Sequence, residues 1–314
     1  MGDFLRDRID PELLDFYDAS KGFDFDHLED FVSRMNAMEL LSLQEDSLVS
    51  TSELEIPGPD GAPPIKLRIY SPANAGEELL PGLMFFHGGG FLFGTVYRQE
   101  ALCQKFVKNT NCVVISVEYR LAPKWRAPAP VEDGYAALCW LSQEGEKIGV
   151  DGSRIALSGL SAGGTIVAAL SLMTRDRGGP KPIFQMPLYG EMDWRLLTDS
   201  SREITSPKVW CRENNQASWD LYLGEDKAVT YYDSPALCED LSNLPPAFSF
   251  VGGLDPVRDE NLAFWQQLMA AGVPVEGHVF PGCFHCFELA NPEAAVSKKA
   301  YDLMYAALKS AFSK

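Results

Sequence analysis

The sequence predicts an α/β fold in which helices cover both faces of a mostly parallel central sheet. Two observations support this prediction. Short apolar runs alternate with longer segments of helical periodicity from about residue 66 onward. The apolar runs are continuous, as expected of parallel strands that are buried on both faces. A chain of 314 residues, 46% of them hydrophobic, can bury a large core as one large domain or two ordinary ones.

The predicted elements follow one another in a regular order. Residues 1–45 have a helical pattern rich in Phe and Leu, and a link rich in Pro and Gly follows at 57–64. The predicted strands are 66–71, 83–87, 113–118, 154–158, 183–188, 247–251 and 275–280. The predicted helices are 99–109, 131–143, 162–175, 260–271 and 293–312. Residues 190–230 break the alternation, because they place tryptophans among charged residues, and we interpret them as an insertion over the sheet.

The chain is strongly acidic, with 44 Asp and Glu residues against 27 Lys and Arg and a net charge of −17. A surface of this sign repels polyphosphates, so a nucleic-acid partner is not expected. An anionic membrane surface is disfavoured for the same reason. The charge also disfavours strongly anionic substrates such as phosphoesters, but it does not identify the substrate.

The N-terminal sequence and the cysteines favour a cytoplasmic protein. The first residues, MGDFLRDRIDPELL, contain acids and lack the apolar core of a secretory signal. The longest uncharged stretch, 155–174, is long enough to span a bilayer. Ser and Gly residues interrupt it and predict a tight turn instead, so no membrane span is expected. The seven cysteines are scattered and odd in number, as expected of reduced thiols.

The segment RIALSGLSAGGT at 154–165 carries the strongest chemical signal. An apolar strand leads into GLSAG, and a helix rich in small residues follows. This is the G-x-S-x-G pattern in its strand–turn–helix context, in which a strained turn lifts the hydroxyl of Ser161 above the sheet. The flanking glycines let strand and helix approach closely, and the helix N-terminus supplies free N–H groups. The pattern predicts Ser161 as a nucleophile.

A glycine-rich loop, His87-Gly88-Gly89-Gly90, follows the predicted strand at 83–87. Successive glycines expose backbone N–H groups that can donate hydrogen bonds to a developing oxyanion. The loop lacks the G-K-[ST] sequence of a P-loop, which excludes that type of phosphate site. We interpret His87 as a structural residue that holds the loop.

A serine nucleophile requires a general base and a carboxylate that orients it. The chain has four histidines. His27 lies before the sheet, His278 lies inside a predicted strand, and His87 begins the glycine loop. His285 instead follows the end of a strand region, where a base above the sheet edge is expected.

Asp255 is the candidate carboxylate, because it also lies just past a predicted strand, in GGLDP. An Asp-Pro pair can equally initiate a turn or cap a helix. The chain order Ser161, Asp255, His285 favours the catalytic interpretation, since it is the triad order of the α/β-hydrolases.

Cys283 and Cys286 form a C-x-x-C pair around His285. Such a pair occurs in redox and zinc sites. No second cysteine or histidine pair is present to complete a zinc site, so no metal is predicted. We interpret the two thiols as packing groups of the histidine loop, with a redox effect on activity as a secondary hypothesis.

Five motifs together resemble the hormone-sensitive-lipase-like esterases, a branch of the α/β-hydrolase fold: HGGGF at 87–91, YRLAP at 119–123, GLSAGG at 159–164, GLDPVRDE at 253–260 and PGCFHCF at 281–287. The resemblance covers roughly residues 50–314. It implies that Ser161 is the nucleophile, Asp255 the acid and His285 the base. It also implies an oxyanion hole of three backbone N–H groups, those of Gly88, Gly89 and Ala162.

The resemblance further implies a helical cap over the acyl pocket. Residues 1–45 would form its N-terminal helices, residues 46–314 the catalytic domain, and the insertion at about 190–230 the rest of the cap. No metal or organic cofactor is implied, and a homodimer is an expectation because family members often pair. One departure is Leu160, which occupies the position before the nucleophile where the family commonly has a polar residue, often Asp.

The predicted function is a serine carboxylic ester hydrolase that acts on an apolar small-molecule ester. Aromatic residues in the cap segments indicate an apolar pocket, although most of them equally suit packing of the cap onto the sheet. A lactonase, an amidase or an acyltransferase would use the same triad, and the sequence does not separate them. A non-catalytic small-molecule receptor on the same fold is disfavoured, because His285 is present in its full motif.

Overall fold

A computed structural model of the chain describes residues 4–41, 43, 46–59, 61–225 and 228–313. Its strands are β1 Val49–Ile56, β2 Ile65–Pro72, β3 Leu80–Phe86, β4 Val113–Val117, β5 Val150–Leu160, β6 Phe184–Leu188, β7 Ala247–Leu254 and β8 Val275–Phe284. They form one sheet in the order β1-β2-β4-β3-β5-β6-β7-β8. Strand β2 pairs antiparallel with β1 and β4, and all other neighbours are parallel. The predicted α/β fold with a mostly parallel sheet is therefore confirmed.

Helices cover both faces of this sheet. The α-helices are α1 Leu14–Ala19, α2 Leu28–Leu41, α3 Glu100–Thr110, α4 Ala129–Glu144, α5 Ala162–Arg177, α6 Asp199–Glu203, α7 Arg212–Leu223, α8 Arg258–Ala270, α9 Phe287–Ala290 and α10 Ala295–Phe312. Alternate side chains of β3 belong to the hydrophobic cores on opposite faces of the sheet. Leu83 and Phe85 belong to the core that contains residues of α3 and α10. Met84 and Phe86 belong to the core that contains residues of α4 and α5. This two-sided burial explains the continuous apolar runs.

The predicted elements from residue 66 onward are present, with ends that differ by up to four residues. The sequence prediction misses β1, because the residues between its buried ends are largely exposed and polar. As an edge strand, β1 needs no continuous apolar run. The predicted insertion contains α6 and α7, which the sequence pattern does not resolve individually. Residues 1–3, 42, 44 and 45 of the predicted N-terminal segment, and 226 and 227 of the insertion, lie outside the described residues.

Within the part of the chain that the structure describes, no helix combines the length and the apolar character needed to cross a bilayer. The uncharged stretch at 155–174 divides between strand β5, the turn at Ser161 and helix α5, as its Ser and Gly residues predict.

Candidate active site

The turn between β5 and α5 holds Ser161 in a strained backbone conformation. Its φ of 54° and ψ of −121° are unusual for a residue with a side chain, and such strain is concentrated at functional sites. The surrounding glycines make the turn possible. A Cβ on Gly159 would lie 2.3 Å from the carbonyl oxygen of Gly163, and a Cβ on Gly163 would lie 2.1 Å from that of Phe86. The strand and the helix therefore meet at a distance that only glycine allows.

Ser161, His285 and Asp255 form a continuous chain of hydrogen bonds at the carboxyl ends of β5, β7 and β8. The Oγ atom of Ser161 lies 2.8 Å from Nε2 of His285. The Nδ1 atom of His285 lies 2.8 Å from Oδ2 of Asp255. The other carboxylate oxygen of Asp255 accepts a hydrogen bond from the backbone N–H of Val257 at 3.0 Å. All three side chains are buried, so their mutual orientation is held by packing as well as by hydrogen bonds.

The electrostatics of His285 follow from this arrangement. Burial by itself lowers the pKa of the imidazole, because it disfavours the charged form. The negative charge of Asp255, the hydrogen bond to it and the neighbouring Cys286 together outweigh burial, so the pKa of His285 is raised above its usual value of 6.5. A neutral His285 that donates Nδ1–H to Asp255 leaves Nε2 free to accept the proton of Ser161. The arrangement can therefore activate a serine hydroxyl.

The glycine-rich loop after β3 lies against the turn that contains Ser161. A Cβ on Gly88 would come within 3.1 Å of the carbonyl oxygen of Leu160, and one on Gly89 within 1.9 Å of that of Phe93. Among the described residues, no hydrogen-bond acceptor is assigned to the backbone N–H groups of Gly88, Gly89 or Ala162. Donors of this kind next to a nucleophile can stabilise an oxyanion.

His87 has the structural role that the sequence suggests. Its Nδ1 atom lies 2.9 Å from the carbonyl oxygen of Gly88. The ring stacks on Tyr119 at 4.2 Å, and the Tyr119 hydroxyl donates to the carbonyl oxygen of His87 at 2.7 Å. Burial lowers the pKa of His87 to about 3, so the ring stays neutral and holds the loop without serving as a base near neutral pH.

A cavity of about 350 Å³ opens above Ser161 and His285. Its lining combines six parts of the chain: the N-terminal segment, the glycine loop with Phe93, residues 98–99, residues 160–161, residues 208–210 and residues 284–290. Most of the large lining side chains are apolar, and they are Phe16, Phe23, Phe31, Met35, Phe93, Leu160, Val209, Trp210, Phe284 and Leu289. Leu160 is part of this wall and is buried. An apolar cavity with a few polar groups at one point is typical of a small-molecule site.

One buried acid beside Ser161 belongs to no sequence motif. Glu191 follows β6 and is fully buried, and its Oε1 atom lies 3.2 Å from Oγ of Ser161. From the sequence alone, Glu191 is predicted only to lie at the start of the insertion. Its place just beyond the carboxyl end of a buried parallel strand is the same signal that identifies Asp255 and His285, and that signal would have drawn attention to it.

Two aromatic rings contact the imidazole ring of His285. Tyr189 packs against the His285 ring at a centroid distance of 5.1 Å, and Trp210 stacks on it at 6.1 Å. The remaining histidines lie elsewhere. His27 is exposed beside Asp24, and His278 lies within β8 beside Glu276. Cys283 and Cys286, which form the C-x-x-C pair, are free thiols, and Cys286 lines the cavity.

The chain is similar in sequence and in structure to known proteins. A family model described as alpha/beta hydrolase fold matches residues 83–289. Esterase LipI from Mycobacterium tuberculosis is 38% identical over 72% of this chain and 71% of its own length. An arylesterase from Saccharolobus solfataricus is 32% identical over 97% of this chain and 99% of its own. The solved structure of a bacterial heroin esterase is similar with a TM-score of 0.93, at 37% identity and 98% coverage of both chains.

Proposed function

The chain belongs to the α/β-hydrolase carboxylesterase family, and from this premise we propose that it cleaves esters with Ser161 as nucleophile, His285 as base and Asp255 as orienting acid. The observation that supports this proposal is the unbroken hydrogen-bond chain from the strained Ser161 through His285 to Asp255. Because the relatives are named esterases and carboxylic ester hydrolases, the chain is an enzyme of this type. The alternative of a non-catalytic receptor is therefore not supported.

The first half of the proposed reaction forms an acyl-enzyme. Nε2 of His285 takes the proton of Ser161 as Oγ bonds to the ester carbonyl carbon. The carbonyl oxygen gains negative charge and is stabilised by the N–H groups of Gly88, Gly89 and Ala162. His285 then passes its proton to the departing alcohol, and the carbon–oxygen bond of the ester breaks.

The second half of the reaction releases the acid. A water molecule loses a proton to His285 while its oxygen bonds to the carbonyl carbon of the acyl-enzyme. The same backbone N–H groups stabilise the second oxyanion. The bond between that carbon and Oγ then breaks, Oγ recovers a proton from His285, and the enzyme returns to its starting state.

We further propose that the N-terminal segment and the insertion act as a cap that selects a small apolar ester. Phe23 and Phe31 from the N-terminal segment pack edge-on, and Phe23 also contacts Trp210 of the insertion at 5.0 Å. These rings form part of the cavity wall. The volume of about 350 Å³ is near the lower end of the usual range of ligand pockets, roughly 300–1,000 Å³. A compact ester suits this space better than a long-chain lipid.

Replacing Trp210 with leucine is expected to shift specificity toward bulkier acyl groups. The indole lines the cavity and stacks on His285, so a smaller side chain enlarges the space beside the reacting carbonyl. A p-nitrophenyl ester series of increasing acyl length measures the change. The ratio of kcat/KM for long over short esters should rise roughly tenfold or more.

A matched control is Trp140→Leu, which removes a half-buried indole from α4, outside the cavity. It should leave the chain-length ratio unchanged. An unchanged ratio in Trp210→Leu as well would contradict the proposal that this part of the insertion limits the acyl group.

A substrate panel separates the ester hydrolase from the other reactions that the same triad supports. Matched p-nitrophenyl ester, lactone and anilide substrates are compared by kcat/KM, with and without a primary alcohol as competing acceptor. We expect the ester to react fastest, because the relatives are named esterases and a phenol is a better leaving group than an aniline. We also expect water to be the main acceptor. Faster lactone or anilide cleavage, or preferential transfer to the alcohol, would favour the corresponding alternative.

A further inference from the structure

The hydroxyl of Ser161 has a second neighbour besides His285. Its Oγ atom lies 2.8 Å from Nε2 of His285 and 3.2 Å from Oε1 of Glu191. Glu191 is fully buried, and its other oxygen, Oε2, has no hydrogen-bond partner among the described residues. The carbonyl oxygen of Glu191 accepts from the hydroxyl of Thr165 in helix α5 at 2.9 Å, which ties this residue to the helix behind the nucleophile. The carboxyl group is therefore held in place beside the reacting atom.

The protons at this site can be counted. Ser161 has one hydroxyl proton, and the proposed mechanism gives it to Nε2 of a neutral His285, whose own proton on Nδ1 is donated to Asp255. Oγ then has no proton left for Glu191. An ionised carboxylate at 3.2 Å would set oxygen lone pairs against oxygen lone pairs. The contact between Oγ and Oε1 becomes a hydrogen bond only if the proton belongs to Glu191.

We propose that Glu191 is an additional catalytic residue, a neutral carboxylic acid that donates a hydrogen bond to Oγ of Ser161 throughout the reaction. This inference rests on the proposed role of Ser161 as the nucleophile. Glu191 keeps its proton in every step, so it supplies a directed hydrogen bond and is not a second base.

The surroundings of Glu191 favour the neutral form. The ionisable groups that face it are Asp255 after β7, His285 after β8, Glu260 in α8 and Tyr222 in α7. No Lys or Arg forms an ion pair with Glu191 within the described residues. Burial and the negative charge of Asp255 raise the pKa of Glu191, whereas a charged His285 and the contact with Ser161 lower it, and the balance places it at about 7. In the proposed active state His285 is neutral, so its lowering effect is absent and the acid form of Glu191 is favoured further. A charge on Glu191 would be a further buried negative charge beside Asp255.

The hydrogen bond contributes most when the acyl-enzyme breaks down. In the acyl-enzyme, Oγ is an ester oxygen that has lone pairs and no proton. When the bond between Oγ and the carbonyl carbon breaks, the electron pair returns to Oγ, which takes its proton from His285. A donor at Oγ is strengthened as this charge develops, so it stabilises the transition state more than the ground state. Glu191 is therefore expected to accelerate deacylation.

Two variants test this assignment. Glu191→Gln keeps the length and a donor, because the amide N–H₂ group can bond to Oγ, whereas Glu191→Met keeps the length without a donor. Stopped-flow measurement of a p-nitrophenyl ester separates the burst of acylation from steady-state deacylation. The deacylation constant of the Gln variant should stay within about threefold of wild type, and that of the Met variant should fall roughly ten- to a hundredfold. A Gln variant as slow as the Met variant, or a Met variant as fast as wild type, would overturn the assignment.

A second measurement does not depend on turnover. An infrared difference spectrum between wild type and Glu191→Gln, recorded at the pH of maximal activity, should contain the carbonyl stretch of a protonated carboxylic acid. If the difference spectrum contained only the bands of an ionised carboxylate, the proposal that Glu191 is neutral would be overturned. Stoichiometric labelling of Ser161 by an organophosphonate in all three proteins, and their thermal unfolding midpoints, show that the variants are folded. Absence of labelling in wild type would instead reject the proposed function, so the two failures are distinguishable.

Discussion

Replacing Ser161 with alanine is expected to lower kcat for a p-nitrophenyl ester by a factor on the order of 10⁵ to 10⁶. The substitution removes the atom that would form the acyl-enzyme, while the oxyanion donors and the cavity remain. Residual hydrolysis would therefore come from substrate binding and electrostatic stabilisation alone. The measurement is the steady-state rate together with covalent labelling by an organophosphonate, which should disappear in the variant.

Ser158 provides a matched control three residues upstream. It is fully buried in β5, and its hydroxyl has no partner among the described residues. Ser158→Ala should leave kcat and labelling unchanged. Activity close to wild type in Ser161→Ala, or an equal loss in Ser158→Ala, would reject Ser161 as the nucleophile.

Replacing Asp255 with asparagine is expected to reduce kcat by about 10⁴. The carboxylate accepts the Nδ1 proton of His285 at 2.8 Å and so keeps Nε2 free to accept the proton of Ser161. An amide N–H₂ group at this position favours the opposite tautomer, in which Nε2 carries the proton and cannot act as a base. Asparagine has the same shape as aspartate, so the geometry of the site should be kept in the variant. The loss of activity would then come from the position of the proton on the His285 ring.

The same substitution changes the dependence of activity on pH. His285 must be neutral to accept a proton, so activity falls as the pH decreases through its pKa. Burial lowers this pKa, but Asp255 and Cys286 together raise it above the usual value of 6.5, so the acidic limb of the wild-type pH profile is expected above that value. In Asp255→Asn the negative charge beside His285 is absent, so the pKa of His285 decreases. The acidic limb of the pH profile should therefore move to lower pH. The profile of kcat/KM for both proteins measures this shift.

Asp233→Asn is the control for loss of a buried carboxylate. Asp233 accepts hydrogen bonds from Thr230 in a loop outside the triad. Its replacement should leave the pH profile in place. A profile that stays unchanged in Asp255→Asn, with activity within tenfold of wild type, would show that Asp255 does not orient the base.

The parallel part of the fold could be predicted because its strands are buried on both faces. Such strands appear in the sequence as apolar runs, and Leu83–Phe86 is an example in which alternate residues enter opposite cores. Strand β1 could not be predicted in this way. Its interior residues are largely polar and exposed on the edge of the sheet, and its place is decided by hydrogen bonds to β2. Backbone pairing of this kind leaves no apolar periodicity in the sequence.

The family motifs and the local turns around the site could be predicted from the sequence alone. Gly159 and Gly163 flank Ser161 because the turn brings strand and helix backbones within a distance that excludes a side chain. This steric constraint acts between residues that are close in the chain, so it is visible in the sequence as a short motif. The positions of Asp255 and His285 past their strand ends could be proposed for a related reason, since parallel strands bring their carboxyl ends to one edge of the sheet.

The surroundings of Ser161 depend on the tertiary structure and could not be predicted from the sequence. Glu191 is separated from Ser161 by 30 positions, and the neutral form that we propose for it depends on burial and on acids from other elements. The cavity likewise joins the N-terminal segment to residues 208–210 and 284–290. Burial and charge are set by groups distant in sequence, and no local pattern records them. The motifs therefore identify the chemistry, whereas the packing above the sheet sets the shape of the pocket and the state of the acid beside Ser161.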